Sequence, residues 1–377
     1  MKALRIFSRI FVGLVFMFSG FVKSVDPLGF TYKLQEYMIS YHLDWFSNMA
    51  LYIAIFLCAV EFVLGVALVF NAKTKIVAWL TLVMMLFFTG LTFYSAIANP
   101  VSDCGCFGDA VKLTNWETFY KNVVLMVFVI IIVFTRKKDD FNFSNKGQWA
   151  SIVGGTAFLL FISIYSYRHL PLIDFLPWKI GNKISEQVVP TPEIAKVFLI
   201  YKNKKTGEVK EYPSDNFPWQ DSVWVENWEF KDQRKEISQP FKEAPIHDFS
   251  ISDQDGNDFT EQFIGNPKYQ FILVTYLVEK ADKGVFKEKI NDFAKKCESD
   301  SVSFIGVSGS SFEVMDNFRH EVQAGFNFYS TDATALKSMV RANPGLLLLK
   351  NGVVIDKWHY NDFPDYAKMK EKYAFKK

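Results

Sequence analysis

Two of the four cysteines stand one residue apart in a short polar loop, and they are the residues best suited to chemistry in this 377-residue chain. Cys104, Gly105 and Cys106 belong to the stretch from Ser102 to Asp109, between two long apolar segments. Such close thiols form a disulfide only if the backbone turns sharply, because the Cα atoms must come within about 7 Å, and glycine permits that turn. A strained bond of this kind is oxidising and easily reduced. Cys104 and Cys106 are therefore a candidate catalytic redox pair.

The loop has two other interpretations. The cysteines can pair or pack as part of a structural loop without turnover. Two cysteines without a nearby histidine fall short of a four-ligand zinc site, so no metal is expected. Of the other two cysteines, Cys58 lies within an apolar segment, where core packing is expected although a contact with the loop stays open, and Cys297 is expected to be a small buried side chain.

Five apolar segments approach the length of about 20 residues that a helix needs to cross a bilayer. They cover about 6–22, 49–70, 76–98, 119–135 and 149–165. No small-residue cleavage pattern follows the first, so it is interpreted as a retained helix rather than a secretory signal.

Basic residues at the ends of these segments predict the orientation, because short basic loops resist crossing to the outer face. They lie before or at the start of the first segment and follow the second and fourth: Lys2, Arg5, Arg9, Lys73, Lys75, Arg136, Lys137, Lys138 and Lys146. The prediction is a bacterial inner-membrane protein with a cytoplasmic amino terminus, and with the cysteine loop and everything after residue 167 in the periplasm. Lys23 and Lys33 in the first outer loop are a mild exception. An oxidising periplasm suits disulfide chemistry.

Glu61 lies well inside the second segment, where an ionisable side chain is costly unless it is paired, protonated or hydrated. Lys23, at the outer end of the first segment, is a possible partner. These two intramembrane polar residues either form a functional site or an internal ion pair that fixes helix register.

Charged residues crowd into the second half of the chain, which reads as water-soluble. Trp178 is expected at the headgroup level, where the chain leaves the membrane. A hairpin is predicted from 197–201 and 208–212, with a further strand at 222–226. Trp219, Trp224 and Trp228 in this section either pack against the following domain or bind a partner. Strands are predicted next at 249–252, 269–278, 302–307, 346–349 and 353–358, and helices at 286–297, 312–322 and 334–341; this alternation is typical of an α/β domain.

The order of motifs in this last section, from Pro245 and residues 248–251 to residues 343–349, resembles a thioredoxin-like domain. The resemblance implies a cis proline at Pro344, facing a cysteine pair just after the strand that ends near Tyr276. Residues 277–284 contain no cysteine, so the dithiol chemistry of that family does not carry over. The domain is therefore interpreted as one kept for binding or architecture.

Residues 9–13, 18–23 and 61–65 resemble the four-helix DoxX-like membrane proteins, and residues 104–108 narrow the likeness to the MauE branch. The predicted fold class is a membrane all-α four-helix bundle plus a fifth transmembrane helix, followed by a soluble α/β thioredoxin-like domain. The predicted divisions are 1–138 for the DoxX/MauE-like domain, 139–181 for the fifth helix and membrane exit, 182–240 for a small β-rich segment, and 241–377 for the periplasmic thioredoxin-like domain.

The layout of the whole chain resembles that of proteins from Bacteroidota envelopes. The resemblance implies a link to the maturation of disulfide-containing periplasmic enzymes in MauE-type proteins, and to respiratory or oxidative-stress assemblies in other DoxX relatives. It does not fix one activity.

Three classes of function follow. The preferred one is an accessory or scaffold protein without a reaction, whose thioredoxin-like domain binds an envelope protein partner or complex in maturation, folding or export. The second is a thiol–disulfide oxidoreductase in which Cys104 and Cys106 pass electrons between a periplasmic substrate and a membrane quinone; only this one requires a cofactor. The third is a small-molecule or proton pathway around Glu61. The lipid bilayer is a partner in each, and the net charge of +2 gives no sign of nucleic-acid binding.

Overall fold

The computed structural model describes residues 2–99, 101, 104–136, 144–241, 243–246 and 249–375. Ser102 and Asp103 of the cysteine loop, Lys137 and Lys138 of the orientation argument, the boundary at 138/139, and Asp248 of the thioredoxin-like motif lie outside the described residues.

Within the described residues, five helices are long and apolar enough to cross a membrane. They are α1 (Lys2–Val25), α3 (Ala50–Val69), α4 (Thr74–Ala98), α5 (Asn115–Thr135) and α6 (Asn145–Arg168). Large apolar side chains cover their outer faces; Phe134, for example, is 80% exposed on the surface of the protein. Because such side chains are stable only in an apolar medium, these helices contact lipid and the chain is a membrane protein.

Glycines bring the first two spanning helices into close contact. A Cβ on Gly65 would lie 2.6 Å from the carbonyl oxygen of Gly13, and one on Gly20 would lie 2.9 Å from that of Cys58. Small residues allow such close backbone approach between membrane helices. The pairing of α1 with α3 brings the end of α1 beside the middle of α3.

The helix α2 (Pro27–Ser40) was not predicted. The Asp26 carboxylate accepts a hydrogen bond from the Gly29 N–H at its amino terminus, and Pro27 occupies the first turn. Both features favour a helix start. This helix follows α1 directly, and a 3₁₀ turn (Asp44–Met49) then leads into α3.

The prediction for Trp178 was wrong. Its side chain is fully buried in the core of the α/β domain, with its ring centroid 5.0 Å from that of Phe249. The reason is that the segment after α6 pairs with the edge of that domain: the Gly181 N–H donates to Val354 O and the Val354 N–H donates to Asn182 O. This segment ends in α7 (Ile184–Gln187).

A three-stranded antiparallel sheet follows, in the order β2-β1-β3. It contains β1 (Ile194–Asn203), β2 (Val209–Pro213) and β3 (Trp228–Gln239). The predicted hairpin is confirmed by β1 and β2. The strand predicted at 222–226 is wrong: it forms the helix α8 (Ser222–Asn227), because the Asp221 carboxylate accepts hydrogen bonds from the Val223 and Trp224 N–H groups.

Trp224 and Trp228 stack at 6.1 Å within an aromatic cluster of this small sheet, which also contains Tyr201 and Tyr212. They therefore pack within their own segment. Trp219 is 62% exposed.

The α/β domain has a five-stranded sheet in the order β6-β5-β4-β7-β8, in which β4, β5 and β6 are parallel and β7 and β8 are antiparallel to their neighbours. Its strands are β4 (Tyr269–Val274), β5 (Ser303–Ser308), β6 (Phe328–Ser330), β7 (Gly345–Lys350) and β8 (Val353–His359). Four of them were predicted and β6 was missed. The strand predicted at 249–252 is wrong: Ser252 makes only isolated bridges, to Asp258 and Ser330.

Helices and two hydrophobic clusters cover both faces of this sheet. The helices are α9 (Thr260–Ile264), α10 (Lys283–Val285), α11 (Asn291–Ser299, after a π-helical turn at Phe286–Ile290), α12 (Phe312–Val322), α13 (Ala333–Met339) and α14 (Tyr366–Tyr373). The predicted fold class is confirmed: a bundle of membrane helices followed by a soluble, thioredoxin-like α/β domain.

Candidate functional site

The cysteine loop turns back on itself between α4 and α5. Gly105 has a φ of +61°, which glycine adopts without steric cost, and the Gly108 N–H donates to Gly105 O over 3.0 Å. The turn directs the Cys106 N–H at Cys104 Sγ, 3.3 Å away. Both cysteines are free thiols, and Cys104 is only 8% exposed.

The two thiols differ in acidity. The pKa of Cys104 is lowered to about 6, chiefly by a hydrogen bond from the Cys106 thiol. Hydrogen bonds from Thr118 and the Cys106 N–H and the positive charge of Lys121 act in the same direction, and together these effects outweigh burial. The hydrogen bond to Cys104 and then burial raise the pKa of Cys106 well above the ordinary value. Cys104 Sγ lies 3.0 Å from Thr118 Oγ1. At neutral pH the pair therefore consists of a thiolate and a thiol, which is the combination that thiol–disulfide exchange uses.

An ion pair lies deeper in the bundle, beneath the loop. Lys23 Nζ donates a hydrogen bond to Glu61 Oε2, and these residues are 4% and 6% exposed. The ammonium also lies 4.9 Å from the ring centroid of Phe30. Ser19, one helical turn before Lys23, donates its hydroxyl to Cys106 O over 2.7 Å. The structure thus brings Lys23 and Glu61 together and places both on the side of the loop that faces the bundle.

A cavity of about 370 Å³ joins the ion pair to the thiols. Its wall is mostly aliphatic and aromatic, and its polar members include Lys23, Glu61, Cys104, Cys106 and Lys121. Small-molecule sites are typically apolar cavities of this kind with a few converging polar groups.

The other two cysteines are not part of the loop, although Cys58 lies near enough to Lys23 and Glu61 to interact with them electrostatically. Cys58 is buried against Phe62 and Leu159 and is not among the described residues that line the cavity. Cys297 is buried in the core of the α/β domain, and burial raises the pKa of its thiol. The structure therefore brings neither one into the loop site.

The α/β domain carries a carboxylate, Glu279, in the segment that follows β4. Ser310 Oγ donates to Glu279 Oε2 over 2.5 Å, which lowers the pKa of Glu279. The Asn343–Pro344 peptide bond is cis, and Asn343 Nδ2 donates to Leu277 O over 3.0 Å. This face of the domain is structured by polar contacts that do not involve sulfur.

The same face is docked on the membrane bundle beside the cysteine loop. Arg341 is 6% exposed and forms ion pairs of 2.8 Å with both Asp26 and Asp109. The rings of Tyr32 in α2 and Tyr276 after β4 meet edge to face at 6.3 Å. The sequence prediction missed Arg341 and Asp26 as site residues. The position of Asp109 in the cysteine loop and of Asp26 before Pro27 was visible, but no local pattern links either one to Arg341.

The fold and the site together define a membrane protein in which two thiols line an apolar cavity beside a soluble α/β domain. Comparison with known proteins agrees with the membrane part. The family model described as methylamine utilisation protein MauE matches residues 1–135, which include α1 to α5.

Protein TlpB of Flavobacterium psychrophilum is 25% identical over 153 residues, which cover 39% of this chain and 40% of that protein. The chain thus spans well under half the length of this curated relative. No solved structure matches the chain.

Proposed function

We propose that this chain is a membrane-bound thiol–disulfide oxidoreductase that uses Cys104 and Cys106. One observation carries the proposal: the Cys106 N–H points at Cys104 Sγ from a tight turn, at the wall of an apolar cavity. A purely structural loop needs no acidified thiol, whereas thiol exchange depends on one.

The reaction has two balanced halves. In the first, a substrate thiolate attacks the Cys104–Cys106 disulfide, and a second substrate thiol completes the exchange. The substrate gains a disulfide, and the pair gains two electrons and one proton, because Cys104 remains a thiolate and the other substrate proton is released to water. In the second, the pair returns to the disulfide and passes two electrons and one proton to an acceptor, which takes its second proton from water. Cys104 is the thiolate that starts this second half, and Cys106 supplies the proton it has retained.

The acceptor best suited to the cavity is a lipid-soluble quinone. A quinone takes up two electrons and two protons when it is reduced, and its ring is flat and largely apolar. The cavity lining matches such a ring, and Lys23 and Lys121 are donors in the wall that suit a carbonyl oxygen. The residues that line the cavity therefore fit a quinone.

The Lys23–Glu61 pair gives this reaction its proton pathway. Cys106 releases one proton in each cycle, and the Lys23–Glu61 pair lines the cavity through which that proton passes to the quinone. We assign Glu61 the role of proton acceptor and Lys23 the role of holding its carboxylate at the cavity wall. This joins the proton pathway predicted around Glu61 to the thiol chemistry.

The proposed setting is a bacterial inner membrane with the thiol loop and the α/β domain in the periplasm. In this setting, the α/β domain acts as a cap without redox chemistry of its own. The basic residues that support this orientation include Arg5, Arg9 and Lys73.

The test is dithiothreitol-dependent reduction of a short-chain quinone by the full chain in nanodiscs. We expect turnover in the unaltered chain and in the matched control Cys58→Ala/Cys297→Ala, which keeps only the loop thiols. Cys104→Ser/Cys106→Ser is expected to lose it. Quinone reduction that survives in the loop variant would reject the proposal.

An accessory or scaffold role is a second candidate, favoured by the small sheet. None of the described residues 185–241 is fully buried, whereas Trp219 and Val223 are more than 60% exposed. A three-stranded sheet with so little core gains stability when a partner covers it.

Site-specific photo-crosslinking in cells tests this role, with the crosslinker at position 223 and a matched exposed position, 289, in the α/β domain. We expect an envelope protein to be captured from position 223 alone. Equal capture from both positions, or none, would reject the scaffold role.

A further inference from the structure

One buried cation joins the α/β domain to the thiol loop. Arg341 Nε lies 2.8 Å from Asp26 Oδ2, and its Nη2 lies 2.8 Å from Asp109 Oδ2. Its Nη1 donates to the carbonyl oxygen of Lys337, which anchors the guanidinium to the preceding helix α13. All three branches of the guanidinium are therefore bonded.

The two carboxylates belong to the two elements that frame the cysteines. Asp26 caps α2 through the Gly29 N–H, at 2.9 Å. Asp109 lies three residues after Cys106, in the 3₁₀ turn Gly108–Ala110 that closes the loop. A rigid, planar cation that bonds both carboxylates fixes their separation, because the guanidinium donors have a fixed geometry.

The helix α2 covers the loop from the other side. Lys33 Cγ lies 2.7 Å from the point where a Cβ on Gly105 would be, so the turn between the cysteines is packed against this helix. The ring centroid of Tyr32 lies 5.5 Å from Arg341 Cζ. The loop therefore sits between α2 and the end of α13, with Arg341 bonded to both sides.

We propose that Arg341 is a positioning residue for the Cys104/Cys106 pair. By bonding Asp109 and Asp26, it holds the loop in the turn that points the Cys106 N–H at Cys104 Sγ. The α/β domain thus acts on the thiols through an arginine rather than through cysteines of its own. The positioning role rests on the proposed function, in which Cys104 and Cys106 carry the reaction. The effect of Arg341 on the thiols can nevertheless be measured without turnover.

The experiment measures the pH dependence of Cys104 alkylation by iodoacetamide in the full chain in nanodiscs, with Cys58→Ala/Cys297→Ala as background and mass spectrometry to assign the site. We expect Arg341→Gln to move the midpoint of the alkylation profile upward by about one pH unit. At a pH below the midpoint, this makes alkylation about tenfold slower. Arg341→Lys should show a smaller upward shift than Arg341→Gln, since an ammonium can still bond one carboxylate. Asp109→Asn, which keeps the Arg341–Asp26 pair, should shift the midpoint in the same direction.

The matched control is Lys337→Gln. Lys337 lies on the same docking face, with its Nζ 4.8 Å from the ring centroid of Tyr32. The substitution removes one positive charge without breaking either bond between Arg341 and a carboxylate. Its midpoint should stay within a few tenths of a unit of the background.

An unchanged midpoint in folded Arg341→Gln overturns the proposal, as does an equal shift in Lys337→Gln. If Arg341→Gln does not fold, Asp109→Asn decides, and an unchanged midpoint there overturns it. A shifted midpoint combined with no quinone reduction by the unaltered chain would reject the proposed function and leave the positioning role standing.

Discussion

Lys23 donates a hydrogen bond to Glu61 across the first two spanning helices, and both side chains are almost completely buried. The residues are 38 positions apart in the chain. The contact is possible because α1 and α3 approach closely at their glycines, which brings the carboxyl-terminal end of α1 beside the middle of α3. Removal of either partner of such a pair leaves an uncompensated buried charge.

Removing one partner of this pair should cost more than removing both. We expect Lys23→Met to lower the free energy of unfolding by about 3–5 kcal/mol, because it leaves an uncompensated buried carboxylate. The double variant Lys23→Met/Glu61→Leu should recover much of that loss. Denaturant unfolding in detergent measures both. Lys296→Ala, which breaks an exposed pair with Asp292, is the control and should change little. A double variant that is less stable than either single one would contradict the prediction.

The acidity of Cys104 predicts a specific pH profile for its alkylation. With its pKa lowered to about 6, the thiolate fraction rises through pH 6 and is nearly complete at pH 7. An ordinary cysteine is only about 3% thiolate at pH 7, so the rate should be roughly 30-fold higher than for an unperturbed thiol of equal access. Thr118→Val should move the midpoint upward, because it removes the hydroxyl 3.0 Å from the sulfur. A midpoint near pH 8.5 in the unaltered chain would contradict this assignment.

Gly105→Ala should damage the loop for two separable reasons. The residue has a φ of +61°, and its new Cβ would lie 2.7 Å from Lys33 Cγ. The backbone strain costs about 1–2 kcal/mol, and the contact adds to it. Gly207→Ala is the matched control, since Gly207 has a φ of +73° but nothing within 4 Å of its Cβ position. We expect only Gly105→Ala to slow Cys104 alkylation at pH 6; equal rates in the two variants would show that the turn does not set thiol acidity.

The α/β domain should lose stability as the pH falls from about 6.5 to 4. Burial lowers the pKa of His359 to about 4, and its Nδ1 accepts the Asn361 N–H over 3.1 Å. The unfolded chain, with a histidine pKa of about 6.5, therefore binds the proton more readily than the folded chain in this range, so unfolding becomes easier as the pH drops.

His359→Gln, which cannot be charged, should flatten this part of the stability profile, as measured by thermal unfolding of the full chain between pH 4 and 7. His320→Gln is the control, because the side chain of His320 is 73% exposed. A slope that persists unchanged in His359→Gln would assign the acid sensitivity to other groups.

The elements predicted correctly are those with a strong local pattern. The spanning helices were visible because each is a run of apolar residues as long as a bilayer is thick. The central strands β4, β5, β7 and β8 were visible as short apolar runs between polar turns. The helix α8 was mistaken for a strand, because the short run of residues 222–226 has no pattern that distinguishes a helix from a strand. The helix cap formed by Asp221 favours the helix.

Local patterns failed where long-range pairing decides. The strand β6 has three residues and exists because it extends the sheet beside β5. Trp178 was expected at the membrane surface, but pairing of its segment with Val354 buries it in the α/β core. In each case the stabilising contact comes from a part of the chain that the local sequence does not contain.

The sequence by itself determined that the chain is a membrane protein, that two thiols share a glycine turn, and that the thioredoxin-like domain lacks its own cysteine pair. These follow from residue types and from spacing over a few residues. Only the tertiary structure decided that the thiols border an apolar cavity with Lys23 and Glu61, and that Arg341 bonds Asp26 from 315 positions away. The physical reason is that hydrogen bonds and burial act over a few ångströms in space, and only folding of the whole chain brings such distant residues within that range.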